Sequence, residues 1–381
     1  MQLTALIVGA LFTGVVAYLF SGASGTWQQA VRAEVVRSTS AQELTRVVYG
    51  DEAPVALRVA AAQARAEAIQ SSEGVGRLAA AERTIAEQLA FALSRSVLPG
   101  SLAADPQYAL PGGSVDVARR LADLAREQSG VPDPDRTAAE GDAQAHRAGW
   151  ISVATVVVTG VAVVAAAAPH RPAGRRRPAP LEIIPQPGVL VPGRRRIASV
   201  LLALWAAGVL LPLAQLVLGG EEQRSQAAAA RTAVQISGQT AISLARSAFA
   251  TNALRDAVLA EAASPARQYA ALDASAADAP AEFALAQAEA SAAATIHRIA
   301  DEMTRAPTTD SGIDPYTATA LASGPDQWRA ALGVQHGHAA RANRFGAWAN
   351  GVVALIAVVA ALSAVVEARF AASSTRDRRR R

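Results

Sequence analysis

The chain contains no cysteine and no lysine, only two methionines, and 4% aromatic residues. Without Cys there can be no disulfide, thiolate metal site or thiol nucleophile, so any region outside the cytoplasm must be held by helix packing alone. Without Lys, all 36 basic residues are Arg; together with the abundance of Ala this points to a GC-rich bacterial coding sequence. Charge is absent from four long runs, residues 3–20, 150–168, 197–218 and 348–366. Ionisable groups inside spanning helices mark ion and proton paths, so their absence disfavours a proton-coupled transporter or pump. Chemical motifs are equally scarce. There is no GxSxG nucleophile turn, and GVGR at residues 74–77 lacks the strand that should precede a dinucleotide loop. The acidic stretch PDPDRTAAEGD, with Asp133, Asp135, Glu140 and Asp142, lacks the ordered spacing and central Gly of a calcium loop and reads as a solvated turn.

What the sequence does have is apolar content, 51% of 381 residues. The four uncharged runs, at roughly 18 to 22 residues each, can cross a bilayer core as helices. Charge is distributed unevenly around them. Residues 21–147 carry 13 Arg against 16 Asp and Glu, and residues 219–347 carry 10 against 13. The short stretch at residues 169–196 has seven Arg, seven Pro and one Glu, and the tail from residue 367 has six Arg against two acids. Short basic segments stay in the cytoplasm while long, mildly acidic ones are translocated. The expected layout is therefore a transmembrane helix at 1–20, an extracytoplasmic helical domain at 21–149, a second transmembrane helix at 150–168, an Arg/Pro-rich cytoplasmic loop at 169–196, a third transmembrane helix at 197–218, a second extracytoplasmic helical domain at 219–347, a fourth transmembrane helix at 348–366, and a basic cytoplasmic tail at 367–381. This is a multi-pass protein of the bacterial cytoplasmic (inner) membrane with both termini in the cytoplasm.

The residues that set this topology are Arg175, Arg176, Arg177, Arg194, Arg195 and Arg196 in the loop and Arg378, Arg379, Arg380 and Arg381 in the tail. They can also touch anionic headgroups, each worth about 1 kcal/mol near the surface. A nucleic-acid patch would need stacking partners, and the loop has no aromatic residue. Its prolines favour extended chain. Trp27, Trp150 and Trp348 fall at the outer ends of their runs, where amphipathic indoles anchor helices at the interface.

The two halves repeat one plan. AQAHRAGWISVATVVVTG, from Ala143, aligns with ARANRFGAWANGVVALIA, from Ala340; ADPQYAL at residues 104–110 has its counterpart in IDPYTATAL at residues 313–321. In this duplication the first apolar run corresponds to the third, so it is read as an uncleaved helix and not as a signal peptide. The outward segments read as helices. RLAAAERTIAEQLAFALSRSVL follows a break at residues 73–76, and GSVDVARRLADLAREQSG offers Ser114 as N-cap with Val117, Leu121 and Leu124 on one face. Their apolar faces are narrow and made mostly of Ala, so each segment is expected to form an antiparallel bundle whose end helices continue into the membrane, with DPQY and GIDPY as corners. The fold class is all-α: a four-span membrane protein with two extracytoplasmic helical bundles arranged as a tandem repeat.

Candidate chemistry is thin. His336 and His338, two apart in VQHGHAA, suit a strand or loop ligand pair, but a zinc site needs three or four ligands. Arg119 and Arg120 could meet an anion in a bundle groove, with Asp116 or Asp123 as competing partners at helical spacing. No cofactor is expected.

The order of spanning helix, outward helical segment and spanning helix resembles the input module of bacterial chemoreceptors and sensor kinases. SAQELTRVVYGDEAPVALRVAAAQARAEAI, residues 40–69, is similar to the helix pair that opens nitrate and nitrite sensing-type ectodomains. The resemblance covers about thirty residues and transfers no binding residue; no signalling linker, kinase or methyl-accepting helix follows either repeat. It implies a noncatalytic membrane protein with a sensor-like or scaffolding role in the envelope. Its partners would be the lipid bilayer and a membrane or envelope protein or a second copy, with no nucleic acid. Two alternatives stay open: a small channel or transporter formed between the repeats, and an outward-facing membrane enzyme.

Overall fold

The computed structural model describes residues 2–72, 76–128, 130–167, 192–306 and 312–379. The protein is all-α. Among the described residues there is no strand, only an isolated bridge between Ala109 and Val115. The helices are α1 (Gln2–Arg46), α2 (Ala53–Gln70), α3 (Arg77–Ser96), α4 (Val117–Glu127), α5 (Pro134–Ala167), α6 (Pro192–Asp273), α7 (Ala279–Thr304), α8 (Pro315–Ala322) and α9 (Pro325–Arg379). A π-helical turn, Val47–Glu52, joins α1 to α2. Pro134, Pro192, Pro315 and Pro325 each open a helix, where the missing N–H costs nothing and the fixed φ is already helical. The chain divides into two compact units, and each draws on both halves of the sequence.

Unit 1 comprises Met1–Arg32, Asp133–Arg231 and Val334–Arg381. It holds the first part of α1, α5, the first part of α6 and most of α9, so the described residues of the four uncharged runs lie in long helices of one unit. Val16 and Phe20 of α1, Ala148 of α5 and Leu213 of α6 form its core. Glycine permits the closest approaches: a Cβ on Gly220 would lie 2.6 Å from the Phe20 ring, and one on Gly141 would lie 2.7 Å from the Trp27 indole. The opposite faces are apolar and bare. Leu11, Val15 and Tyr18 on α1, Val153, Val157 and Val161 on α5, and Leu355, Val358 and Leu362 on α9 are exposed. Among the described residues one helical segment, Pro325–Val366, is long and apolar enough to cross a membrane; its most apolar window has a mean hydropathy of 2.4 and is 6% buried.

Unit 2 comprises Ala33–Pro132 and Thr232–Gly333. Its main core mixes Val48, Tyr49, Leu57, Tyr108 and Leu121 from the first half with Ile242, Phe249, Ile299, Met303 and Tyr316 from the second. The separate bundle expected in each outward segment is thus replaced by one unit built from both. The reason lies in the Ala-rich faces: a methyl group buries little area, at about 25 cal/mol per Å² of apolar surface removed from water, so neither segment alone assembles the large side chains of this core. DPQY and GIDPY do form corners. Asp105 caps a 3-10 turn at Pro106–Tyr108 and Asp314 caps α8, and the two corner tyrosines, Tyr108 and Tyr316, enter the same core.

Two local expectations change. The N-cap of α4 is Asp116, whose Oδ1 accepts from the Arg119 amide at 2.9 Å, and Ser114 lies outside the helix with its side chain buried. Asp and Ser cap about equally well; the helix begins at Val117, which puts Asp116 and not Ser114 at the capping position. Arg194, Arg195 and Arg196, read as part of an extended loop, belong to the first turns of α6. The rest of that loop, with Arg175, Arg176 and Arg177, lies outside the described residues, as do Arg380 and Arg381; Arg378 and Arg379 end α9.

Candidate functional site

Unit 2 carries a groove of about 490 Å³ between α2, α3 and the loop that joins α3 to α4. Small residues on α2, Ala56 and Ala60, leave the space, and Val59 and Gln63 border it. From α3 come Phe91, Ser94 and Arg95, which helical spacing of three and four residues places on one face. The loop supplies the third wall, including Leu102, Asp105, Ser114 and Val115. A second groove of about 340 Å³ adjoins it and shares Gln63, Phe91 and Ser94.

The loop wall is rigidly fixed. The π-helical turn closes its hydrogen bonds over five residues instead of four, and Val48, Tyr49 and Glu52 are its buried residues. Glu52 Oε2 accepts from the Leu102 amide at 3.0 Å, and Arg120 donates through Nη2 to Oε1 at 2.8 Å and through Nε to Oε2 at 3.0 Å. Tyr108 donates its hydroxyl to Asp123 Oδ2 at 2.9 Å beneath the Arg120 guanidinium, and burial raises the Tyr108 pKa. Arg298 from α7 donates to the carbonyl of Gly112, whose φ of 81° a side chain would resist. Arg119 donates to the Gln107 carbonyl at 3.2 Å. The α4 arginines therefore serve the architecture. Arg120 pairs with Glu52, sixty-eight residues earlier in the chain, and not with Asp116 or Asp123, the partners that helical spacing offered.

Three groups in the groove have polar capacity to spare. The Arg95 guanidinium sits over the Phe91 ring at 4.8 Å and has no ion-pair partner among the described residues. Asp105 accepts from the amide and from Nε2 of Gln107, each at 3.0 Å, and meets no cation among the described residues. Ser114 is 1% exposed and its Oγ has no hydrogen-bond partner. None of these positions forms a recognisable spacing in the sequence; only the loop's return over α3 brings them together.

The residues singled out in the sequence are placed differently. His336 and His338 both lie on α9, where a separation of two turns them about 200° apart around the axis. They cannot share a metal, and no group of three or more His, Asp or Glu able to hold one occurs among the described residues. Trp150 and Trp348 are exposed at 65% and 70%. Trp27 is buried at 3% exposure, packed over Gly141, and its Nε1 donates to Asp142 Oδ1 at 3.1 Å, so it is a packing residue of unit 1 and not an interface anchor. Sequence depth alone could not reveal this, because the partner Asp142 is 115 residues away. The acidic stretch resolves into structural roles: Asp133 caps α5, Asp135 pairs with Arg231, and Asp142 pairs with Arg224 at 2.9 Å.

No protein-family model, curated protein or solved structure matches the chain.

Proposed function

We propose that this chain is a noncatalytic protein of the bacterial cytoplasmic membrane that spans it four times and uses unit 2, outside the membrane, in a sensor-like or scaffolding role. The observation that carries the reading is the bare apolar exterior of unit 1. Soluble monomers rarely expose contiguous apolar patches larger than a few hundred Å², yet α9 presents a window of mean hydropathy 2.4 that is only 6% buried. On α5, Val153, Val157 and Val161 lie in the same condition. Short Arg-rich segments at residues 169–196 and 367–381, against mildly acidic residues 21–149 and 219–347, support unit 2 as the outward part.

The arrangement favours this over a channel. Ser152 and Thr155, buried polar groups of the α5 run, donate to the carbonyls of Ala148 and Ile151 four residues back, at 2.9 and 2.7 Å. Hydroxyls satisfied within their own helix serve packing, whereas pore-lining hydroxyls face water. Alkaline carbonate extraction of membranes from cells making the full chain tests the membrane assignment. The protein stays in the pellet if the runs span the bilayer, and its release into the supernatant would remove the reading.

A further inference from the structure

Two opposite charges line the groove of unit 2 without meeting. Arg95 and Asp105 both border it, yet no ion pair joins them, and neither has another charged partner among the described residues. Two more deeply buried arginines of the same unit do find carboxylates: Arg120 takes Glu52, and Arg65 takes Glu289 at 2.8 Å. The same lining includes the apolar side chains of Val59, Phe91 and Leu102.

We propose that this groove binds a free α-amino acid with an apolar side chain, its carboxylate on Arg95 and its ammonium on Asp105. An anion alone would meet the Asp105 carboxylate, and a cation alone would meet the Arg95 guanidinium; a zwitterion satisfies both. Guanidinium and carboxylate pair through two parallel hydrogen bonds, and the Phe91 ring beneath Arg95 holds the planar group ready for this. Each Asp105 oxygen keeps a free acceptor site beyond its bond from Gln107. The apolar side chain packs on Phe91, the large exposed apolar residue of the lining. A volume of about 490 Å³ falls in the range of small-molecule sites, ~300–1,000 Å³. The purpose of such a site rests on the sensor-like reading, but binding is measured on purified protein and stands or falls apart from membrane topology.

The test is isothermal titration of L-leucine into the full chain in lipid nanodiscs, beside 4-methylpentanoate, which lacks the ammonium, and 3-methylbutylamine, which lacks the carboxylate. Arg95→Gln and Asp105→Asn are titrated in parallel, each checked for unchanged helical circular dichroism. Expected are saturable binding of leucine, none of either analogue, and a loss of about tenfold or more in each variant. Absence of saturable binding by leucine, valine and phenylalanine overturns the proposal. So does equal binding of 4-methylpentanoate, or wild-type affinity in both variants.

Discussion

Arg120 grips both carboxylate oxygens of Glu52, at 2.8 and 3.0 Å, in a pair whose side chains are only 12% and 10% exposed. The same carboxylate receives the amide of Leu102, so one buried glutamate ties the π-helical turn, α4 and the groove loop together. Glu52→Ala would strand a buried guanidinium and is expected to cost about 3 kcal/mol or more. The double variant Glu52→Ala, Arg120→Met removes both charges and should be less destabilised than Glu52→Ala alone. Thermal unfolding followed by circular dichroism decides between them; a double variant worse than the single would refute this account of the pair.

Tyr49 lies at the middle of the unit 2 core, its ring 5.9 Å from Phe249 and its hydroxyl donating to the Met303 carbonyl at 3.0 Å. Burial pushes its pKa up to about 12, with Arg246 opposing the shift. In the unfolded chain a tyrosine loses its proton near pH 10. The folded state therefore binds more protons above that value: the stabilisation from the buried neutral phenol is complete below about pH 10 and is lost as pH rises through about 12. Tyr49→Phe should lower stability by about 1 kcal/mol at neutral pH through the lost hydrogen bond and flatten this alkaline fall. An alkaline transition unchanged in Tyr49→Phe would assign the loss to another group.

In unit 1 the equivalent close contact is Trp27 against Gly141. A methyl group at position 141 would lie 2.7 Å from Cδ1 and 2.8 Å from Nε1 of the indole. Gly141→Ala should thus destabilise by about 1–3 kcal/mol, as overpacking does, and break the bond from Nε1 to Asp142. The combined Gly141→Ala, Trp27→Phe variant should recover part of the loss. Thermal stability in nanodiscs gives the comparison, and a neutral Gly141→Ala would show that the helices part more easily than this contact implies.

Helices were the most legible feature of the sequence. The separation of α2 from α3, which opens at Arg77, and the corners at DPQY and GIDPY carry local signals from Gly, Pro and Asp that tertiary packing does not overrule, whereas the acidic stretch read as a solvated turn instead opens α5 at Pro134. The sharing of one core by both outward segments was not legible, because Ala-rich faces fit many partners equally well. The cap of α4 was misplaced by two residues because Ser114 and Asp116 are both good caps. The pair Glu52 and Arg120, and the placing of Arg95 and Asp105 on one groove, depend on where a loop returns, which no spacing encodes. Trp27 shows the same limit in unit 1, since its place after the first apolar run suggested an interface anchor while its side chain is buried.

Exposure of Trp150 and Trp348 and burial of Trp27 lead to a spectroscopic difference. In variants that keep a single tryptophan, brominated lipid should quench the fluorescence at positions 150 and 348 strongly and that at position 27 weakly, since quenching requires contact with the acyl chains. Equal quenching at all three positions would mean that Trp27 also faces lipid.

The absence of cysteine makes the most direct measurement possible. Ala104→Cys and Ala277→Cys place single thiols on exposed positions of unit 2, and Ala179→Cys places one in the Arg/Pro-rich stretch between the second and third apolar runs. Each is treated in intact cells with a membrane-impermeant thiol reagent, with permeabilised cells as the control. The account predicts labelling at positions 104 and 277 in intact cells and at 179 only after permeabilisation. Labelling of 179 in intact cells, with 104 and 277 protected, would put unit 2 in the cytoplasm and contradict it.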